Sequence, residues 1–364
     1  MRSILSALII IAAAFMPSCN SRQDKTGDYV DISSANYFFR LADKISSGNE
    51  PSESEWAELF ETAAYKKCID ETFEERGEFI REAMNLAFKP SMEKERDSLT
   101  SIPVVEIVSD WEALLIRVSV DNFMDIKNNK TEIQKQLTLI NGAELMAKAR
   151  KRLSDFLVDP VDSLIIPIPI GILCMEPDAL SLSGMIVWDA NLYCKQSEEE
   201  KVNLLAHEMF HAYRLHFAEK REGLLSLFNS WQNEGIADQI DKKSLSDLSS
   251  EFIRYGFPES YVDTYNDIYN NTPLILKEVE ELTLSFLRSE IEEKTYNSKL
   301  SDFIQFGGHP NAFYMSTTIR NAGYEKEMIS TFHSPADFVK LYNKSVGAEQ
   351  AFGREFMDYL DTLN

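Results

Sequence analysis

Apolar residues recur mostly at three- and four-residue spacing along this chain, which predicts helices over most of its length. Tyr29–Ile45, Glu53–Cys68 and Asp70–Phe88 read as amphipathic helices, the second opened by Pro51-Ser52, and Lys130–Leu157 reads as a long one. Residues 103–120 are apolar, but Asp110-Trp111-Glu112-Ala113 leaves helix and strand both open. The period changes at 161–194. Leu164–Gly171 is apolar and β-branched, with prolines that confine it to an edge or a bulge, and Gly184–Ala190 is a second strand. Helical spacing then resumes from Ser197, again in Ser250–Tyr265 and Thr272–Ile291, and from Asn311 to Asn321 after a Gly307-Gly308 loop. Residues 331–364 read as two closing helices. The predicted fold class is α+β, predominantly helical, with a small mixed or antiparallel sheet.

The start of the chain follows another pattern. Met1-Arg2 and the apolar run Ile4–Met16 have the shape of a signal peptide, too short to span a bilayer. Met16-Pro17-Ser18-Cys19 resembles a lipobox, with Met where Leu is usual. It implies that Cys19 is lipidated and becomes the new N-terminus, and polar residues 19–28 then form a tether. The expected layout is a signal peptide over 1–18, a helical region over 29–160, a catalytic region over 161–330 and closing helices over 331–364. The expected location is a cell envelope, with the protein held to a membrane by lipid alone.

Composition narrows the partners. The 364 residues carry a formal net charge of −22, which repels phosphate and argues against nucleic acid. A hydrophobic share of 44% is enough for a large core, and a monomer is expected. Beyond Cys19 the cysteines are Cys68, Cys174 and Cys194. None sits in a C-x-x-C, so they do not suggest a metal site. Cys174 and Cys194 could pair in an oxidising compartment, or all three could be buried thiols.

The chemistry is concentrated in Leu205-Ala206-His207-Glu208-Met209-Phe210-His211-Ala212-Tyr213, an H-E-x-x-H motif. Ser197 followed by Glu200 reads as a capping box, and Val202, Leu205, Met209 and Ala212 mark the buried stripe of a helix. His207 and His211 then leave one face, a turn apart. Glu208 lies about 100° around from His207, within reach of a water held by both imidazoles. A catalytic zinc usually takes three protein ligands and keeps one position open. His216 is on the wrong face to be the third. Glu234, in Trp231-Gln232-Asn233-Glu234-Gly235-Ile236-Ala237-Asp238, lies far enough along for a second helix to return antiparallel. Asp238 lies one turn beyond it and can orient a zinc-bound imidazole.

H-E-x-x-H followed by N-E-x-x-A-D resembles the gluzincin metallopeptidases, the thermolysin-like superfamily, most closely over residues 180–240. The whole chain resembles bacterial lipoproteins described as zinc-dependent peptidases. The resemblance implies one zinc ion per chain, held by His207, His211 and Glu234, with Glu208 as general base and Asp238 supporting a zinc-bound histidine. It also implies a two-helix zinc core beside the sheet, with 184–190 as the edge strand that pairs with an extended peptide or protein substrate. The chain has no G-x-M-E-N segment before the motif, which weakens an aminopeptidase reading. Peptide hydrolysis develops an oxyanion that needs a further donor, for which His309 and Tyr314 are the candidates, with Tyr324 third. Two other classes stay open: a non-catalytic zinc lipoprotein binding a glycan or a partner, and a zinc hydrolase acting on a non-peptide amide.

Overall fold

The computed structural model describes residues 29–73, 75–107, 110–158, 168–215, 217 and 221–363. The readings made on residues 1–28, Cys19 included, and the first part of the strand at 164–171 fall outside that set. Among the described residues the fold is α+β, 74% helical with one small mixed sheet. No helix among the described residues is long and apolar enough to cross a membrane. The described chain divides into two compact units. One runs up to Ala149 and adds the stretch to Glu208 and Glu251–Tyr261; the other takes up the chain from Arg150, Met209–Ser250 and everything from Val262.

The first unit holds β1 (Val30–Asp31), α1 (Ser33–Ser46), α2 (Ala63–Glu71), α3 (Arg76–Phe88), α4 (Trp111–Leu137), β2 (Ile170–Leu173), β3 (Ala179–Leu182), β4 (Met185–Asp189) and α5 (Ala190–Lys195). Its strands lie in the order β1-β2-β4-β3; β4 is parallel to β2 and antiparallel to β3. The expectation that 184–190 forms an edge is therefore corrected: β4 is interior, and β1 and β3 are the edges. The reason is visible in its composition. Ile186, Val187, Trp188 and Asp189 are all buried, a run without alternation, as a strand covered on both faces shows.

Polar residues set the helix ends. The Asp110 side chain accepts the Ala113 amide at 3.2 Å, so the ambiguous stretch is the N-cap of α4. The helix predicted over Glu53–Cys68 is two, ending at Phe60 and restarting at Ala63. The one predicted over Lys130–Leu157 is also two, broken between Leu137 and Gly142. Packing between the helices is aromatic: the rings of Phe38 and Phe123 lie 4.8 Å apart, and Phe39 and Phe88 meet the Phe38 ring edge-on. Cys68, Cys174 and Cys194 are free thiols, and burial raises all three above the usual thiol range.

Asp189 ends β4 and caps α5. One of its oxygens accepts the Leu192 amide at 2.8 Å and the other the Met175 amide at 3.0 Å. The carboxyl is fully buried, and burial pushes it up to about 7 against the pull of those bonds. The folded state thus keeps its proton over a range in which the unfolded chain has already lost it. Stability falls as pH rises from about 4 to 7, the window between the two values. In Asp189→Asn this titration is gone, while one of the two amide bonds is lost at every pH. Denaturant unfolding across that window should show the variant least favourable near pH 4. The gap to wild type should narrow by up to about 4 kcal/mol by pH 7. Parallel stability curves would contradict this account.

Candidate metal centre

The motif lies on α6 (Glu198–Leu215), and its start follows from local chemistry. The Ser197 amide donates to Glu200 at 2.6 Å and the Ser197 hydroxyl accepts the Glu200 amide at 3.3 Å, a complete capping box. Three glutamates in the first turn match the positive end of the helix. Leu205, Ala206, Met209 and Phe210 are buried, which fixes the rotation of the helix. His207 and Glu208 are carried inward with them, to 2% and 4% exposure. Donor atoms of His207, Glu208 and His211 all lie within 4.8 Å of one another, close enough to share an ion. The second unit takes up the chain again at Met209, inside this helix.

In the second unit, α7 (Gly223–Asp241) supplies the carboxylates. Leu224, Leu227, Phe228, Trp231, Ile236 and Ile240 are buried along it. Glu234 and Asp238 share a face one turn apart. His211 Nε2 stands 3.3 Å from Glu234 Oε2, so the two are brought together as the spacing predicts. The Asn233 carboxamide donates to the other Glu234 oxygen at 3.3 Å.

His309 reaches the same place from a distant part of the chain. It opens α8 (His309–Asn321), which packs along α7. Its Nδ1 lies 3.0 Å from Asp238 Oδ1 and its Nε2 lies 3.5 Å from Glu234 Oε2. Burial opposes charge on this imidazole, but the neighbouring Asp238 and Glu234 carboxylates outweigh it and hold it up at about 9. Asp238 is fully buried and also receives the Lys242 ammonium, which lies 3.3 Å from Asp241 as well. Burial lowers that ammonium, and the Asp238 and Asp241 charges raise it by more.

Two backbone features place His309. Phe306, Gly307 and Gly308 are all left-handed, with φ of 50°, 67° and 89°. For Phe306 that conformation costs roughly 1–2 kcal/mol. At Gly308 a Cβ would stand 2.9 Å from the Trp231 ring. Gly235, next to Glu234, lets the helices touch: a Cβ there would lie 2.9 Å from the Ala312 carbonyl oxygen of α8.

The other candidate donors have aromatic and cationic neighbours. Tyr314 meets the Tyr269 ring edge-on with centroids 5.4 Å apart, and Tyr324 lies under the Lys344 ammonium at 4.1 Å. Lys242 escaped the sequence reading, although its spacing of four from Asp238 is an ordinary helical ion-pair signal. Imidazole nitrogens and a carboxylate oxygen, half-buried to buried, are the donor set that zinc prefers, so the residues fit that ion.

Residues 56–350 match the model of a family described as "Putative zinc dependent peptidase (DUF5700)". No curated protein and no solved structure matches the chain.

The close approach of α7 and α8 can be tested directly. Gly235→Ala would force the Ala312 backbone away and should cost about 1–3 kcal/mol in denaturant unfolding. Gly347→Ala, with nothing within 4 Å of its added Cβ, should stay close to wild type. Equal stability of the two variants would show that the contact carries no strain.

Proposed function

The chain belongs to that family, and from this premise we propose that it is a zinc-dependent metallopeptidase that hydrolyses peptide bonds. One zinc ion is held by His207, His211 and Glu234, and Glu208 is the general base. The observation that carries this reading is the meeting of the motif with its downstream carboxylate: His211 Nε2 stands 3.3 Å from Glu234 Oε2. The cluster of His207, Glu208 and His211 donor atoms on one helix supports it.

The chemistry follows from charge. Bound zinc supplies Lewis acidity, which brings the pKa of a water from about 15.7 towards about 7. Glu208 accepts the proton that this water gives up and later passes it to the departing amine. Its burial at 4% exposure keeps bulk water from competing for that proton. His207 and His211 hold their rings on one face through the packing of α6. Asn233 holds one oxygen of Glu234, leaving Oε2 towards the histidines. We further propose that the lipidated Cys19 ties the protein to a membrane of a bacterial cell envelope, where its substrates are peptides or proteins.

Glu208→Gln keeps the shape of the side chain and removes the base. Metal analysis of the purified variant should show zinc at the wild-type level, about one per chain. Cleavage of a mixed peptide library, followed by mass spectrometry, should fall by about 10²–10⁴-fold. His211→Ala should lose the zinc. Full zinc in His211→Ala would remove the ligand assignment, and undiminished cleavage by Glu208→Gln would remove the general base. For the anchor, Cys19→Ala should move the protein from the membrane fraction to the soluble one; unchanged fractionation would exclude the lipid.

A further inference from the structure

The two nitrogens of His309 face different partners, and that difference bears on its role. A histidine that steadies a developing oxyanion must keep a proton on the nitrogen facing the substrate. One that binds a metal must present a lone pair there. His309 Nδ1 faces Asp238 Oδ1 at 3.0 Å, and a carboxylate can only accept, so Nδ1 carries the hydrogen. Asp238 is fixed in turn by Lys242 on the same helix. In the neutral ring the lone pair then belongs to Nε2, the nitrogen 3.5 Å from Glu234 Oε2.

Each of two imidazoles stands at a ligand-like distance from Glu234. Zinc bonds to nitrogen and oxygen of about 2.0–2.1 Å put ligand atoms roughly 3.3–3.4 Å apart in a tetrahedral set. His211 Nε2 and His309 Nε2 stand 3.3 Å and 3.5 Å from one oxygen, Glu234 Oε2. An imidazole with a carboxylate hydrogen-bonded to its far nitrogen is the arrangement that orients metal-bound histidines. The left-handed run from Phe306 to Gly308, held against Trp231, fixes where the ring starts.

From these observations we propose that His309 is a ligand of the metal through Nε2, and that Asp238 is the carboxylate that orients it. This rests on the zinc reading above and deepens it. With His207, His211 and Glu234 also in place there would be four protein ligands, and water would be a fifth, the number to which catalytic zinc can expand during reaction.

The test is metal binding, measured by competition with a chromophoric chelator and by the visible spectrum of the cobalt(II)-substituted protein. His309→Ala should weaken zinc binding by more than about 100-fold, because loss of an orienting partner alone costs about 10–100-fold. Asp238→Asn should fall in that lower range, and Tyr314→Phe should match wild type. The cobalt bands should gain intensity in His309→Ala as the coordination number drops. Added imidazole should reverse both effects, which separates loss of a ligand from damage to the fold. Wild-type zinc affinity and cobalt spectrum in His309→Ala, with peptide cleavage lost, would make His309 a donor to the substrate and overturn the proposal, leaving the zinc reading intact. A wild-type protein that binds no zinc would overturn both.

Discussion

Glu234 and Asp238 put two carboxylates one turn apart on a single face of α7, within the hydrophobic body of the second unit. Burying an ionised carboxylate is expensive unless charge and hydrogen bonds return what water gave. Most of the unit's polar architecture answers that requirement. Lys242, one turn beyond Asp238, brings an ammonium to it from the same helix. His309 arrives from α8 and touches both carboxylates with its two nitrogens. His211 meets the same Glu234 oxygen. The His309 contacts depend on close packing of α7 and α8, which Gly235 permits by bringing the Ala312 carbonyl against the α7 backbone. The demand of the charges and the smallness of one residue are thus two parts of one constraint.

How a charge is compensated separates the polar clusters of this protein. Arg214 is also buried, yet among the described residues its hydrogen bonds go to the neutral oxygens of Asn229 and Gln232. Burial accordingly lowers it, to about 10, with Glu234 pulling the other way. Gln232 donates to Thr331 and to the Ser334 carbonyl, so its oxygen is turned towards Arg214. The cluster ties the end of α6 to α7 and to the segment before α9 (Pro335–Ser345) through hydrogen bonds between one cation and neutral groups. It is a fastening, and it differs in kind from the ion-paired group around Asp238.

What the sequence made legible follows the range of the interactions. The capping box at Ser197, the placing of His207 and His211 on one face and the pairing of Glu234 with Asp238 are contacts within one or two turns of helix. Residue spacing encodes such contacts directly. The approach of Glu234 to His211 needs only a helix that returns, and it too could be read. His309 was visible as a candidate, but its contacts with Glu234 and Asp238 depend on helix packing and on three consecutive left-handed residues. Spacing carries no record of either. The strand at 184–190 shows the opposite failure. Its unbroken Met-Ile-Val-Trp run already carried the signature of an interior strand, and the expectation of an edge came from a resemblance to other proteins. Breaks such as Leu137–Gly142 were hidden because apolar spacing continues on either side of them.

Asp189 and Asp238 close the comparison, because both are fully buried carboxylates at helix-determining positions. Asp189 receives two backbone amides, from Leu192 and Met175, and a hydrogen bond from the Asn122 side chain. These donors are neutral, so burial dominates and the carboxyl rises towards neutrality. Such a group can hold a loop and a helix start, but it offers no fixed charge to a ligand. Asp238 receives an ammonium and an imidazole, both able to carry charge. Its donors supply the compensation that Asp189 lacks, and one of them presents its other nitrogen to Glu234. A buried carboxylate whose donors are all neutral fastens the fold; one whose donor continues into a second acidic group gathers charge at one place. In that sense Asp238, His309 and Glu234 form one charged cluster, the one the proposed site draws on, and Asp189 is part of the frame.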